Sequence, residues 1–137
     1  MKYENVLTTC IYCGCGCGIY LQVLNGKVVG CQPVKEHPIS EGRLCIKGWN
    51  AHGFVYHPDR LTVPLIRDQK GGALREASWD EALGLVARRL TEVKEQSGPD
   101  AIGFFASAKC TNEENYLLQK LARGAIGTNN VDHCARL

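Results

Sequence analysis

Four cysteines fall within eight residues, at Cys10, Cys13, Cys15 and Cys17, and no ordinary hydrophobic core needs that density of thiols. Three of them have the spacing C-x2-C-x3-C, and 27 residues separate Cys17 from a further cysteine, Cys45. Four thiolates can hold a cubane iron–sulfur cluster, and a tight trio plus one distant ligand is a common way to supply them. The glycines at 14, 16 and 18 let the backbone wrap closely around a bulky inorganic core. Cys10, Cys13, Cys17 and Cys45 are therefore the candidate cluster ligands.

Two other uses of the cysteines compete with this one. Eight cysteines in 137 residues would suit a secreted disulfide scaffold, but Met1–Cys10 carries no apolar signal region, which favours metal ligation in a reducing cytoplasm. A structural zinc site usually needs two separated C-x2-C pairs, and Cys45 has no partner cysteine two or three residues away. Cys15 reads as a bystander in the loop, because ligation by Cys13, Cys15 and Cys17 together would crowd alternate residues around one metal. Cys31 reads as a small buried hydrophobe on a strand, and the same reading covers Cys110 and Cys134. Lys47, two residues after Cys45, is either a solvated cation or a charge placed to tune or bridge a cluster.

A net charge of +2, without a basic stripe interleaved with aromatics, gives no nucleic-acid surface. The longest apolar run, Ala101–Ala108, is far too short to span a bilayer. Arg88-Arg89 lies inside an expected helix, not in an export signal.

The chain divides at about residue 60. In the first lobe, residues 19–24 and 27–33 alternate like strands around Asn25-Gly26, a strong hairpin signal because both residues tolerate positive φ. Residues 45–53 read as a short helix or turn. A second hairpin is expected around Gln69–Gly72. Ser78-Trp79-Asp80-Glu81 has the form of a reciprocal capping box, and it opens a helix whose apolar face is Ala82, Leu83, Val86, Ala87, Leu90 and Val93. Gly98-Pro99 ends that helix. Residues 101–106 form a continuous apolar run, the kind buried on both faces of a parallel sheet. Thr111-Asn112-Glu113-Glu114 starts another helix, with Leu117, Leu118, Leu121 and Ala122 inward and an end at Gly124 or Gly127. The acidic pair Glu113-Glu114 suits the helix dipole and needs no catalytic role. Residues 129–133 turn into a next strand. Residues 1–60 are thus expected as a β-hairpin cluster-binding lobe, and 61–137 as the beginning of an α/β domain, an α+β to α/β chain overall.

The sequence resembles the catalytic subunits of molybdopterin-dependent oxidoreductases, most closely the formate dehydrogenase alpha subunit. The resemblance runs through Cys10–Gly18, Leu44-Cys45-Ile46-Lys47-Gly48, His57–Leu65, Ser78–Ala82, Thr111–Tyr116 and Gly127–Asp132, in the family's order. The Thr-Asn-Glu-Glu-Asn-Tyr and Gly-Thr-Asn-Asn stretches favour formate dehydrogenase over nitrate reductase. The resemblance implies that Cys10, Cys13, Cys17 and Cys45 hold a [4Fe-4S] cluster. It implies that Lys47 lies between that cluster and a bis(molybdopterin guanine dinucleotide) cofactor carrying molybdenum or tungsten. It further implies formate/CO2 as the substrate pair, with the remainder of the catalytic subunit and iron–sulfur electron-transfer subunits as partners.

Members of the family are several times longer, and their metal ligand, a cysteine or selenocysteine followed by histidine, comes directly after a stretch like Ala135-Arg136-Leu137. The expectation is that the sequence stops at Leu137 because a selenocysteine UGA codon was taken as termination. The downstream DNA tests this, with a fragment or a split subunit as the alternatives. No catalytic residue is expected within these 137 residues, which should not oxidise formate alone. A stand-alone iron–sulfur electron-transfer subunit is the second functional reading, and a structural zinc module the third.

Overall fold

The structure is a computed structural model that describes residues 1–134. Its first lobe is a three-stranded antiparallel sheet in the order β1-β2-β3, formed by β1 (Tyr3–Thr9), β2 (Gly18–Leu24) and β3 (Lys27–Pro33). The Asn25-Gly26 turn is as expected. Both residues take positive φ, 49° and 81°, the geometry that matches the twist of the flanking strands. The extra residue Val29 bulges β3 where Gln22 pairs with Gly30 and Val23 with Val28.

Strand β1 was not legible beforehand. It pairs with β2 along its whole length, from Tyr3 opposite Leu24 to Thr9 opposite Gly18, yet every residue in it is exposed. An edge strand with no buried face carries no period-two pattern to read. Its consequence is large, because β1 and β2 become the two walls of the cysteine loop, which starts at Cys10 and returns into Gly18. Beneath that loop lies the lobe's small core of Cys10, Ile19, Cys31 and Ala51, with Tyr12, Cys17, Leu21 and Leu44 against it. The short helix α1 (Ile46–Trp49) leans on β3, where the Cys31 thiol donates to the Gly48 carbonyl at 3.3 Å.

In the second lobe, β4 (Leu65–Ile66) and β5 (Arg75–Glu76) make the expected hairpin. Helix α2 (Trp79–Ser97) follows, and Gly98, with φ 83°, ends it. Strand β6 (Phe104–Ser107) pairs in parallel with β7 (Val131–Cys134), so the crossover between them is α3 (Asn112–Lys120) and the wider turn Leu121–Ile126. Gly127, at φ 93°, stops that turn by donating to Ala122 O at 2.8 Å.

Three expectations change. The strand begins at Phe104, because Pro99–Ala101 wind into a 3₁₀ turn that uses up the start of the apolar run. It is not buried on both faces: Phe105 is 86% exposed, since a two-stranded sheet has too little area to be covered twice. On the expected inward faces, Leu83, Val86 and Val93 of α2 and Leu117 and Leu121 are exposed, whereas Ala122 is fully buried. Among the described residues helix α2 packs chiefly on the turn that follows it, which leaves much of its apolar stripe uncovered.

The two caps differ for a local reason. At Thr111 both halves of the box form: Glu114 N–H donates to Thr111 Oγ1 at 3.3 Å, and Thr111 N–H to Glu114 Oε2 at 2.6 Å. At Ser78 the hydroxyl accepts from Glu81 N–H at 3.1 Å, but the Glu81 carboxylate turns mainly to Arg75, at 2.7 Å.

Candidate metal centre and cofactor face

The cysteine loop is closed at its base by a backbone bond from Cys10 N–H to Cys17 O, 2.8 Å long. This bond continues the β1–β2 ladder and forces residues 11–16 out as a compact bulge. Inside the bulge, Gly16 N–H reaches Cys13 O at 3.4 Å, and Gly16 takes φ 61°, a left-handed turn that favours glycine. Gly18 admits the ring of His37, which a Cβ would strike. That ring is held in turn by Ser40, whose N–H and Oγ lie 3.3 and 3.2 Å from His37 Nδ1.

Three of the candidate ligands act on the fourth, Cys17. Burial, and then the neighbouring thiols of Cys10, Cys13 and Cys45, push the Cys17 thiol above its ordinary pKa. Thiols from both ends of the loop and from the distant Leu44–Gly48 segment therefore feel one another. Cys45 is the exception in sign. It precedes the first residue of α1, where the Gly48 N–H lowers its pKa against the opposing effect of burial, with the Lys47 N–H and charge adding to the lowering. A helix start of this kind favours thiolate over thiol. Cys15 is exposed, with its thiol raised chiefly by its contact with Cys13 and further by Cys17 and Cys45. Lys47 is exposed on α1, close enough to Cys45 to act on it electrostatically. Cys31 is buried, as expected, and serves the α1 contact.

Among the described residues, no three His, Cys, Asp or Glu side chains converge tightly enough to hold a single metal ion. A mononuclear zinc site needs such convergence. A [4Fe-4S] cluster takes one thiolate per iron and so spreads its four ligands further apart than a single ion does.

On the second lobe, the carboxyl ends of the parallel strands β6 and β7 open into a hollow of about 230 Å3, lined by Ser107, Ala108, Asn115, Gln119 and His133 among others. In α/β sheets ligands bind at such carboxyl ends. Gln119 Oε1 is buried with no hydrogen-bond partner, an acceptor free for a ligand's N–H. The segment between β6 and α3 is held firmly: the Cys110 thiol and the Asn115 amide both donate to Ser107 O, at 2.9 and 3.1 Å. A larger cleft, about 620 Å3, lies between the β4–β5 hairpin and α2 and shares no residue with either feature.

Sequence reading missed one residue at this junction. Asn112 Nδ2 donates to Gly14 O at 2.9 Å, joining the second lobe to the cysteine loop across 98 positions of sequence. A helix-start asparagine looks like any other, and no local signal marks it.

The structure thus joins an antiparallel lobe that carries the cysteine loop to a parallel-stranded lobe with a hollow at its strand ends. The chain belongs to the molybdopterin oxidoreductase family: the Molybdopterin oxidoreductase Fe4S4 domain matches residues 3–57 and the Molybdopterin oxidoreductase domain matches residues 60–137. The cofactors of these domains are a [4Fe-4S] cluster and molybdopterin. Over its whole length the chain is 54% identical to the F420-dependent formate dehydrogenase 1 subunit alpha of Methanococcus maripaludis. It is 51% identical to the F420-dependent formate dehydrogenase subunit alpha of Methanocaldococcus jannaschii. The probable oxidoreductase YjgC of Bacillus subtilis is 50% identical over 98% of the chain and is covered to 14%. The chain spans 19% of the length of each of the two archaeal relatives. Among solved structures, acetylene hydratase from Pelobacter acetylenicus superposes with a TM-score of 0.71 over 93% of this chain and 18% of its own, at 24% identity, which speaks for the fold. No helix among the described residues is long and apolar enough to cross a membrane.

Proposed function

We propose that this chain is the cluster-bearing segment of a formate dehydrogenase catalytic subunit, with residues 1–60 as the cluster lobe and 61–137 as part of the molybdopterin lobe. The observation that supports this reading is the loop closed by Cys10 N–H on Cys17 O at 2.8 Å, which carries Cys10, Cys13 and Cys17, with Cys45 near enough to act on Cys17. The two archaeal relatives, named as formate dehydrogenases and alike over the whole chain, supply the substrate pair, formate and CO2.

When bound, a [4Fe-4S] cluster passes electrons singly between a molybdenum or tungsten bis-pterin site and a redox partner. The chain's own residues set the conditions. The Cys10–Cys17 backbone bond and the core beneath it hold three thiols in place, and the start of α1 lowers the pKa of Cys45. Lys47 would lie between the cluster and the pterin, where its positive charge would favour the reduced, more negative form of the cluster. The hollow beyond β6 and β7, with the free Gln119 oxygen, is the part of the pterin cradle that this segment contributes. Eight free thiols suit a reducing compartment, the cytoplasm.

The test is made on the full-length enzyme. Cys45→Ser is expected to remove iron and acid-labile sulfide together with the absorbance near 400 nm, and Lys47→Met to leave both in place while slowing reduction of the cluster by formate. Normal cluster content in Cys45→Ser would sink the ligand assignment. The exposed faces of α2 and β6 also suit a separate electron-transfer subunit docked on a larger one. The native mass decides, since a longer polypeptide containing this sequence excludes that second reading.

A further inference from the structure

The geometry points to Asn112 as a positioning residue for the cluster: from the second lobe it clamps the Gly14 carbonyl, and Gly14 is glycine to admit it. The inference rests on the cluster reading above. Its basis is independent, because it comes from the contact between the lobes and not from the thiols.

Glycine at position 14 is not required by the backbone, since Gly14 is not among the glycines with positive φ. What excludes a side chain there is Asn112. A Cβ on Gly14 would lie 2.5 Å from Asn112 Oδ1 and 3.4 Å from its Cγ. The same asparagine donates from Nδ2 to Gly14 O at 2.9 Å. The amide therefore lies flat against residue 14, with its donor on the carbonyl and its oxygen over the α-carbon. A methyl group at position 14 would push the Asn112 amide away from the carbonyl it clamps.

The arm that carries Asn112 is rigid. Asn112 is the first residue of α3, directly after Thr111, whose capping box is complete on both sides. Two residues earlier, the Cys110 thiol ties the segment to the end of β6. Gly14 lies between Cys13 and Cys17, so the clamp acts on the stretch of backbone that joins two candidate ligands. It also connects that stretch to the edge of the hollow where β6 ends. The position and hydration of the loop are thus set partly by the molybdopterin lobe. Reduction adds negative charge to a cluster, and a looser loop that lets water closer stabilises that charge, which raises the midpoint potential.

The test uses the full-length holoenzyme and an electron paramagnetic resonance redox titration of the cluster, with iron and acid-labile sulfide counted beforehand. Asn112→Ala, Gly14→Ala and the double variant each lose the same hydrogen bond. All three midpoints are expected to move upward by the same amount, so the double variant moves no further than either single one. An unmoved midpoint in Asn112→Ala, or displacements that add in the double variant, overturns the clamp while leaving the cluster assignment intact. Absence of labile sulfide from the wild-type enzyme overturns the cluster reading itself, and the inference with it. If Gly14→Ala fails to load iron, Asn112→Ala against wild type decides alone, because alanine at an exposed first helical position does not impede folding.

Discussion

The pairing of β6 with β7 hangs on one buried hydroxyl, and replacing Thr128 by valine isolates its contribution. Thr128 is 2% exposed, in the turn between Gly127 and β7. Its Oγ1 donates to Asp100 Oδ1 at 2.8 Å and accepts from Asn130 N–H at 3.2 Å. Asn130 in turn donates from Nδ2 to Asp100 O at 2.9 Å, and its own carbonyl accepts from Phe104 N–H at 2.8 Å, the entry to the parallel ladder. Valine keeps the shape and leaves two polar groups without their partner. A fully desolvated pair of orphans would cost about 1–3 kcal/mol each. Asp100 and Asn130 are both exposed, so water replaces part of what is lost, and the estimate falls to about 1–2 kcal/mol in total. That corresponds to roughly 5- to 30-fold faster amide exchange by local opening. Hydrogen exchange read by mass spectrometry on peptides covering 102–107 and 128–134 of the full-length protein measures it. Thr128→Ser keeps the hydroxyl and loses one methyl, about 0.8 kcal/mol, so it should exchange more slowly than Thr128→Val. The reasoning is refuted if valine is as protected as wild type, or if serine is the worse of the two.

Three further outcomes follow from the same geometry. Cys15→Ser is expected to keep full iron and labile sulfide content, because Cys10, Cys13, Cys17 and Cys45 supply the four ligands proposed above; loss of one iron per chain on analysis would make Cys15 a ligand. Thr111→Ala removes one half of a complete capping box and should cost about 1 kcal/mol, seen as faster exchange in the first turn of α3 with little change in α2. Arg75 bridges Asp68 and Glu81 at 2.9 and 2.7 Å and holds both carboxyls below their ordinary pKa, chiefly by hydrogen bonding. Native values below the unfolded ones mean the stabilisation is present above the carboxylate range and lost as pH falls through the depressed values. The β4–β5 hairpin should therefore loosen between about pH 5 and about pH 3, and Arg75→Gln should remove that pH dependence. A variant as pH-dependent as wild type would show that other groups govern the hairpin.

Much of this protein was legible from residue identity alone, wherever a local rule decides the outcome. Asn25-Gly26 could only be a tight hairpin turn, Gly98-Pro99 had to stop α2, and Ser78 and Thr111 each had a side chain able to cap. The spacing of Cys10, Cys13, Cys17 and Cys45 named the candidate ligands for the same reason, since ligand spacing is a property of the chain. Partnership between distant segments was not legible. Strand β1 has no buried face and so no pattern, although it shapes the cysteine loop. Glu81 had the identity for a reciprocal cap, yet Arg75 on the hairpin took its carboxylate. The apolar stripe of α2 announced a buried face, and what covers a stripe depends on elements elsewhere. Asn112 and Gly14 are the sharpest case. Gly14 read as one of the loop glycines and Asn112 as part of a helix start, and only the folded chain brings that amide against that glycine. Sequence thus determined which residues could bind, turn or cap, because those choices rest on the chemistry and torsions of a few neighbours. Tertiary structure decided which of them meet, because contact across 98 residues depends on how two lobes pack.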